Sequence, residues 1–335
     1  MKYSKLAVLG LVLAIGSGMA FAGINSKEVG AVLIFPEYRA EYSPNVDTYI
    51  SITNDKSTAV TAHIEVVGDD VCDDCNFDLP LTGFQTKRLR FNRERVGGNS
   101  SELYATVIYD ASPHSDTGSP YVISACPEKR GFVVVTLEEA GAEPRKTLGE
   151  NMLHGDSVVI ELEGGTSSQM GAIAVQGVGV NDNNRNLKFD NMEYAAFPSI
   201  VTANFWAPSE DVEPRLVLFN VDFQTGVPPT TNCAINYVNA EEDVFSRNYS
   251  FDCWSKIDLR DLAPGLHEDI LGTANGFLWA QCDAGTHGAM VTDLEGNTVN
   301  YPYPGESEHS DTLFQSTTTN AGAELRLTPS ITGGS

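Results

Sequence analysis

Positively charged residues are scarce in this sequence. Against 45 Asp and Glu it has 21 Lys and Arg, a formal net charge of −24 at pH 7. A chain so acidic is repelled by phosphate backbones, which argues against nucleic acid as a partner. Long hydrophobic runs are missing too. Beyond the first 22 positions no stretch holds 18 successive apolar residues, so no integral membrane segment is expected in the mature chain. Helical periodicity is also lacking: no long segment carries apolar side chains at every third and fourth position.

Catalytic signatures are equally thin. The six histidines, at 63, 114, 154, 267, 287 and 309, form neither HxH nor HExxH. Gly-x-Ser-x-Gly is absent, and so is a glycine-rich phosphate loop. Two facing carboxylates would suffice for glycoside hydrolysis, but nothing nominates a pair among 45 acids. What is present is an ordinary globular composition, 41% hydrophobic and 20% charged, which excludes general disorder. The length of 335 residues is enough for two domains.

The first 22 residues read as a bacterial secretory signal. Lys2 and Lys5 supply the positive start, Leu6 to Ile15 the apolar stretch, and Ala20-Phe21-Ala22 the small residues read by a signal peptidase. The apolar stretch is too short for a membrane span, which needs roughly 20 residues. No Cys follows the cleavage site to take a lipid anchor. The expected mature protein begins at Gly23 and is secreted, periplasmic or extracellular. All six cysteines, at 72, 75, 126, 233, 253 and 282, lie in this mature part, and an oxidising compartment favours disulfides. Folding the chain about Asp243 sets 233 against 253, 235 against 251 and 237 against 249, so a hairpin in that register predicts a Cys233–Cys253 bond.

The mature chain reads as all-β. Val60, Ala62, Ile64 and Val66 alternate with Thr61, His63 and Glu65, the period of a half-buried strand with His63 on its solvated face. Further runs lie at 48–53, 103–109, 131–137 and 157–162. In the second half they lie at 201–206, 215–221, 233–238, 245–254, 276–282 and 288–292. Gly, Pro, Asn and Asp clusters part them at a β-sandwich's spacing. The two halves follow one plan. A strand ends at Asn54 in one and Asn220 in the other, and Gly131-Phe132 in the first matches Gly276-Phe277 in the second. This predicts two tandem immunoglobulin-like β-sandwich domains, 23–181 and 197–335, joined by a junction segment at 182–196.

The opening Val32-Leu33-Ile34-Phe35-Pro36 and the strand from Asp47-Thr48 to Asn54 carry a resemblance. So do the stretch from Asn181-Asp182 through Met192-Glu193-Tyr194 and the later Asp252-Cys253-Trp254. Together they resemble a family of secreted bacterial β-rich proteins with no assigned activity, across much of the mature chain. The resemblance implies a secreted β-rich protein and transfers no active site.

Four stretches carry candidate chemistry. Residues 182–193 match the spacing of an EF-hand-type calcium loop, with Asp182, Asn184, Asn186, Asp190 and Glu193 at oxygen-bearing positions 1, 3, 5, 9 and 12. Calcium is the one cofactor this suggests. Against it, Leu187 stands where the loop wants Gly, and the competing reading is a polar inter-strand turn with Phe189 and Met192 packed inward. Cys72-Asp73-Asp74-Cys75 is a CxxC, but the acids around it destabilise a thiolate and no second ligand pair exists for zinc. A disulfide-tied acidic loop fits better. Asp116-Thr117-Gly118 spells the aspartic-protease tripeptide once, outside an apolar strand, and reads as a turn. Tyr301 and Tyr303, in Tyr-Pro-Tyr-Pro, could stack on a sugar or a partner side chain, or could belong to a rigid connection.

These observations predict a non-enzymatic secreted structural or interaction protein of the bacterial cell envelope or surface, with a protein or glycan partner there. The alternatives are a calcium-assisted glycan- or surface-binding adhesin and a secreted hydrolase on a β-sandwich.

Overall fold

Short runs of β-branched and aromatic residues become strands along the whole chain. The structure is a computed structural model. It describes residues 24–25, 29–42, 45–69, 72–97, 100–110, 121–123, 129–138, 149–161, 166–178, 186–206, 208, 212–222, 230–239, 243–262, 275–294 and 323–326. The one helix among the described residues is a single turn, α1 (Leu259–Leu262).

Six strands form an antiparallel sheet in the order β1 (Ile24–Asn25), β12 (Ile173–Val175), β2 (Val32–Arg39), β9 (Arg130–Glu138), β4 (Val60–Gly68) and β5 (Asp74–Leu81). Nine form a second sheet. Its first-half strands run β11 (Thr166–Gly171), β10 (Leu153–Glu161), β3 (Val46–Asn54), β6 (Thr86–Gly97), β7 (Ser100–Asp110) and β8 (Tyr121–Ile123). Its second-half strands run β18 (Trp254–Asp258), β15 (Val212–Asn220) and β20 (Thr286–Leu294), and β20 lies beside β11. A four-stranded sheet has the order β14 (Ile200–Trp206), β19 (Asn275–Cys282), β16 (Thr231–Asn239) and β17 (Val244–Phe251). A ribbon pairs β13 (Asn186–Phe189) with β21 (Ala323–Arg326).

Among the described residues, three larger hydrophobic cores fill the spaces between these layers. The first lies between Leu33, Ala62, Ile64, Val66, Val133 and Val135 of the six-stranded sheet and Ile50, Ile52, Leu89 and Phe91 of the nine-stranded sheet. This is the sandwich that the alternation in β4 predicts. The second core covers the opposite face of the same six-stranded sheet. There Val32, Ile34, Phe132 and Val134 meet Phe189 and Phe197, together with Val217 and Phe219 of β15. The rings of Phe132 and Phe219 stack 5.2 Å apart. Burial on both faces is why Phe132 to Val135 reads as an unbroken apolar run instead of an alternating one. The third core lies between β15, β18 and α1 on one side and the inner face of the four-stranded sheet on the other.

All-β architecture therefore stands, but the halves are not closed off from each other at 182–196. Ser167 of β11 pairs with Leu294 of β20, so hydrogen bonding runs from first-half to second-half strands within one sheet. The second core likewise takes side chains from both halves.

The predicted Cys233–Cys253 bond is corrected. The β16–β17 register is symmetric about position 241: Val238 pairs with Val244, and Asn239 Oδ1 accepts the Asp243 N–H at 2.9 Å. That register sets Cys233 opposite Tyr249 and leaves Cys253 beyond the strand. On its other side Cys233 faces Cys282 of β19, and these two are bonded, with Cα atoms 4.0 Å apart. Cys253 is bonded to Cys72, 181 residues away in sequence and 5.5 Å between Cα atoms. Cys75 is disulfide-bonded as well, and no cysteine among the described residues is free.

The Gly-Phe pair common to the halves has a steric cause. Gly131 has φ +152°, and a Cβ there would strike the Val67 carbonyl of β4. A Cβ on Gly276 would strike the Phe205 ring and the Val238 carbonyl. Each glycine lets a neighbouring strand close in.

Candidate functional site

Thr61, His63 and Glu65 of β4 share the face of the six-stranded sheet turned away from the first core. Register sets His63 beside Asp78 of β5 on one side and Thr136 of β9 on the other, with Glu138 two residues further along β9. His63 Nδ1 lies 2.9 Å from Asp78 Oδ1, and Nε2 lies 3.7 Å from Glu65 Oε1. A carboxylate oxygen of Glu138 completes a group with His63 and Asp78 in which all three ligand atoms lie within 4.8 Å of one another. The expected solvated position for His63 is corrected: the residue is 1% exposed, and Glu65 and Glu138 are buried beside it. Alternation marked this face as polar, and here the polar face is covered too.

Burial drives the His63 pKa down, but the hydrogen bond to Asp78 and the nearby Glu65 and Glu138 carboxylates outweigh it and hold the ring at about 9. At neutral pH the residue is therefore imidazolium. A histidine with two carboxylates has the ligand chemistry of a zinc or manganese centre. A metal ion would have to displace the ring proton to bind here, and with so high a pKa the ring is a poor general base near pH 7. The cluster thus gathers two buried acids, Glu65 and Glu138, and the half-buried Asp78 around one imidazole.

A second buried charge pair sits where the halves meet. Between Phe35 and Tyr38 the β2–β9 register slips, so Pro36 and Glu37 together oppose Phe132 in a β-bulge. Pro36 has no N–H for the ladder, and its carbonyl accepts the Trp254 Nε1–H at 2.8 Å. Glu37, fully buried, receives Arg215 Nη2 at 2.8 Å on Oε2, and the same nitrogen donates to Ser168 Oγ at 2.9 Å. Burial alone would raise the Glu37 pKa. The Arg215 charge and hydrogen bond, helped by Lys256 and Arg39, bring it below the usual carboxylate value. The pair thus stays ionised, tying β2 to β15 and β11.

His287 of β20 is buried with the opposite result. It lies against Phe197 and Phe219, at ring separations of 5.7 and 6.0 Å, and its Nδ1 accepts the Gly288 N–H at 2.7 Å. Burial among apolar rings pushes its pKa down to about 4, so it is neutral under ordinary conditions.

The residues proposed for calcium fall in different settings. Asp182 and Asn184 lie outside the described residues. Asn186 opens β13, opposite Arg326, so extended backbone occupies the middle of the stretch. Asp190 Oδ1 accepts the N–H groups of Met192 and Glu193 at 2.8 and 3.1 Å, an Asx turn. Glu193 Oε2 accepts the Lys188 N–H at 3.2 Å, and Asn191, at φ 63°, takes the Ala196 N–H on Oδ1. Phe189 packs inward as the competing reading expects, whereas Met192 is 72% exposed. Tyr301, Tyr303 and Asp116 lie outside the described residues. Cys72 reaches the second half instead of closing a local CxxC ring.

Sequence reading missed both buried ion networks. The signal for the first was the β4–β5 register, which sets His63 against Asp78; the signal for the second was Pro36-Glu37 inside an apolar strand. No helix among the described residues is long and apolar enough to cross a membrane. No protein-family model matches the chain, and no curated protein matches it.

Proposed function

We propose that the protein is a non-enzymatic interaction protein of the bacterial cell envelope, exported by its first 22 residues and acting outside the cytoplasm. The observation that carries this reading is the Cys72–Cys253 bond, which joins the halves across 181 residues of sequence. Such long-range disulfides form and persist in oxidising compartments. The buried titratable groups lend support, because His63 and Glu37 are engaged in ion networks that hold strands together. The halves act as one braced body that presents surfaces to a partner.

Fractionation of cells expressing the full chain tests this. The expected result is oxidised protein in the periplasm or medium, and reduced protein retained inside when residues 2–22 are deleted. Purified protein is expected to leave polysaccharide and ester substrates unchanged. Reduced, cytoplasmic protein from the full chain refutes the reading, and so does turnover that a single carboxylate substitution abolishes.

A further inference from the structure

We infer that the outward face of the four-stranded sheet is a binding platform for a neutral polysaccharide. This names the ligand of the interaction role proposed above and rests on that role. Alternation is regular in β16 and β19 of this sheet, whereas in β17 the inward-register Arg247 is exposed. In β16, Cys233, Ile235 and Tyr237 are buried while Asn232 and Ala234 are exposed. In β19, Leu278 and Ala280 point inward, and Phe277, Trp279 and Gln281 outward.

Register lines the outward residues up across all four strands. A central row runs Thr202, Trp279, Asn236, Ser246. On one side of it Phe277 stands between Asn204 and Val238, and on the other Gln281 stands beside Ala234. No position in these rows carries a charge, although the chain as a whole is 20% charged with a net of −24. The nearest acid on this side is Asp283, one step beyond β19, whose Oδ2 accepts from the Asn232 backbone N–H and side-chain amide at 2.8 and 3.2 Å.

Phe277 and Trp279 form a ring pair along β19, with centroids 6.1 Å apart and planes inclined by 30°. Phe277 is 37% exposed. Aromatic faces offer an apolar surface to the C–H face of a sugar ring. Asn and Gln side chains each hold donors and an acceptor, and so can meet adjacent hydroxyls from both directions. Two successive rings flanked by Asn204, Asn236 and Thr202 therefore suit consecutive sugar units of an extended chain. Among the described residues no layer covers this face, so a long polymer can follow it across the four strands. Charge complementarity selects the neutral kind, because a polyuronate or phosphorylated glycan would be repelled by the surrounding acidic body.

Native gels cast with hydroxyethylcellulose, galactomannan or alginate test the inference on the full mature chain. Retardation is expected in at least one neutral gel and not in alginate. Trp279→Ala is expected to weaken it on the order of tenfold, as for a central aromatic anchor. Ala234→Arg, at an exposed position where no packing is lost, is expected to block it as well, with an unchanged circular dichroism melt. Phe84→Ala, which removes an exposed ring elsewhere, is expected to change nothing. The inference is overturned by free migration in both neutral gels, or by retardation that survives Trp279→Ala and Ala234→Arg. A dimer in sedimentation that Ala234→Arg dissolves also overturns it, since a second copy then occupies the face. Reducing ends released from a retarding polysaccharide would leave the platform standing and refute the non-enzymatic role instead.

Discussion

Raising the pH through 9 takes the proton from His63, and the fold then loses the stability that proton supplies. The folded pKa is about 9 against 6.5 for a free histidine. A raised pKa contributes stability that is fully present below 6.5 and is lost as pH climbs through 9. The gap corresponds to about 3 kcal/mol, at roughly 1.4 kcal/mol per unit. The groups responsible face the ring from three strands: Glu65 on β4, Asp78 on β5 and Glu138 on β9. His63→Gln keeps a donor toward Asp78 and removes the charge. Urea unfolding followed by tryptophan fluorescence at several pH values between 6 and 10 isolates the effect, with other groups cancelling in the difference between wild type and variant. That difference should be about 3 kcal/mol near pH 6 and shrink toward zero by pH 10. A His63 ring that titrates near 6.5 by NMR refutes the reasoning, as does a difference that stays constant with pH.

His287 gives the mirror image: its pKa is lowered to about 4, so it lends stability above 6.5 that falls away as pH drops toward 4. His287→Phe should flatten that acid limb relative to wild type, and an unchanged slope counts against a buried neutral ring. Arg215→Met strands the Glu37 carboxylate in the core and should cost about 3–5 kcal/mol in urea unfolding. Adding Glu37→Gln should recover much of that loss, and no recovery would mean that Arg215 acts through packing alone. Replacing Cys72 and Cys253 together by Ser should lower stability by roughly 2–5 kcal/mol. Non-reducing peptide mapping of the wild type should yield 72–253 and 233–282 fragments, and a 233–253 fragment would contradict the hairpin register. Millimolar calcium should leave the melting temperature unchanged, because Asp190 Oδ1 and Glu193 Oε2 already accept turn N–H groups. A calcium-dependent rise that Asp182→Ala abolishes would restore the calcium loop.

Much of the local structure was legible. The alternation from Val60 to Val66 gave β4 and its inward face, and the run at 233–238 lies inside β16. What escaped were consequences of distance along the chain. Period two says which residues share a face, but not whether water or another layer lies over it, so His63 was placed in solvent. The Cys233 register hung on turn length: an axis at 243 instead of 241 shifts the partner by four residues, and Tyr249 takes the place of Cys253. The pairing of β11 with β20 joins segments more than a hundred residues apart and leaves no local mark.

One cue to the extra layer was present. Val32 to Phe35, Phe132 to Val135 and Leu216 to Phe219 are unbroken apolar runs, and an unbroken run requires burial on both faces. Strands covered twice offer no solvated side for their polar residues, so any acid placed there must find its countercharge inside the protein. That necessity produced His63 among its carboxylates and Arg215 against Glu37. The four-stranded sheet is the opposite case. Alternation in β16 is regular, the inner face of the sheet is covered, and the central outward rows carry no charge, with Asp283 beside Asn232 at their margin. Contact with something outside the molecule is therefore to be sought on the outward rows around Phe277 and Trp279, and the buried acids are to be read as framework.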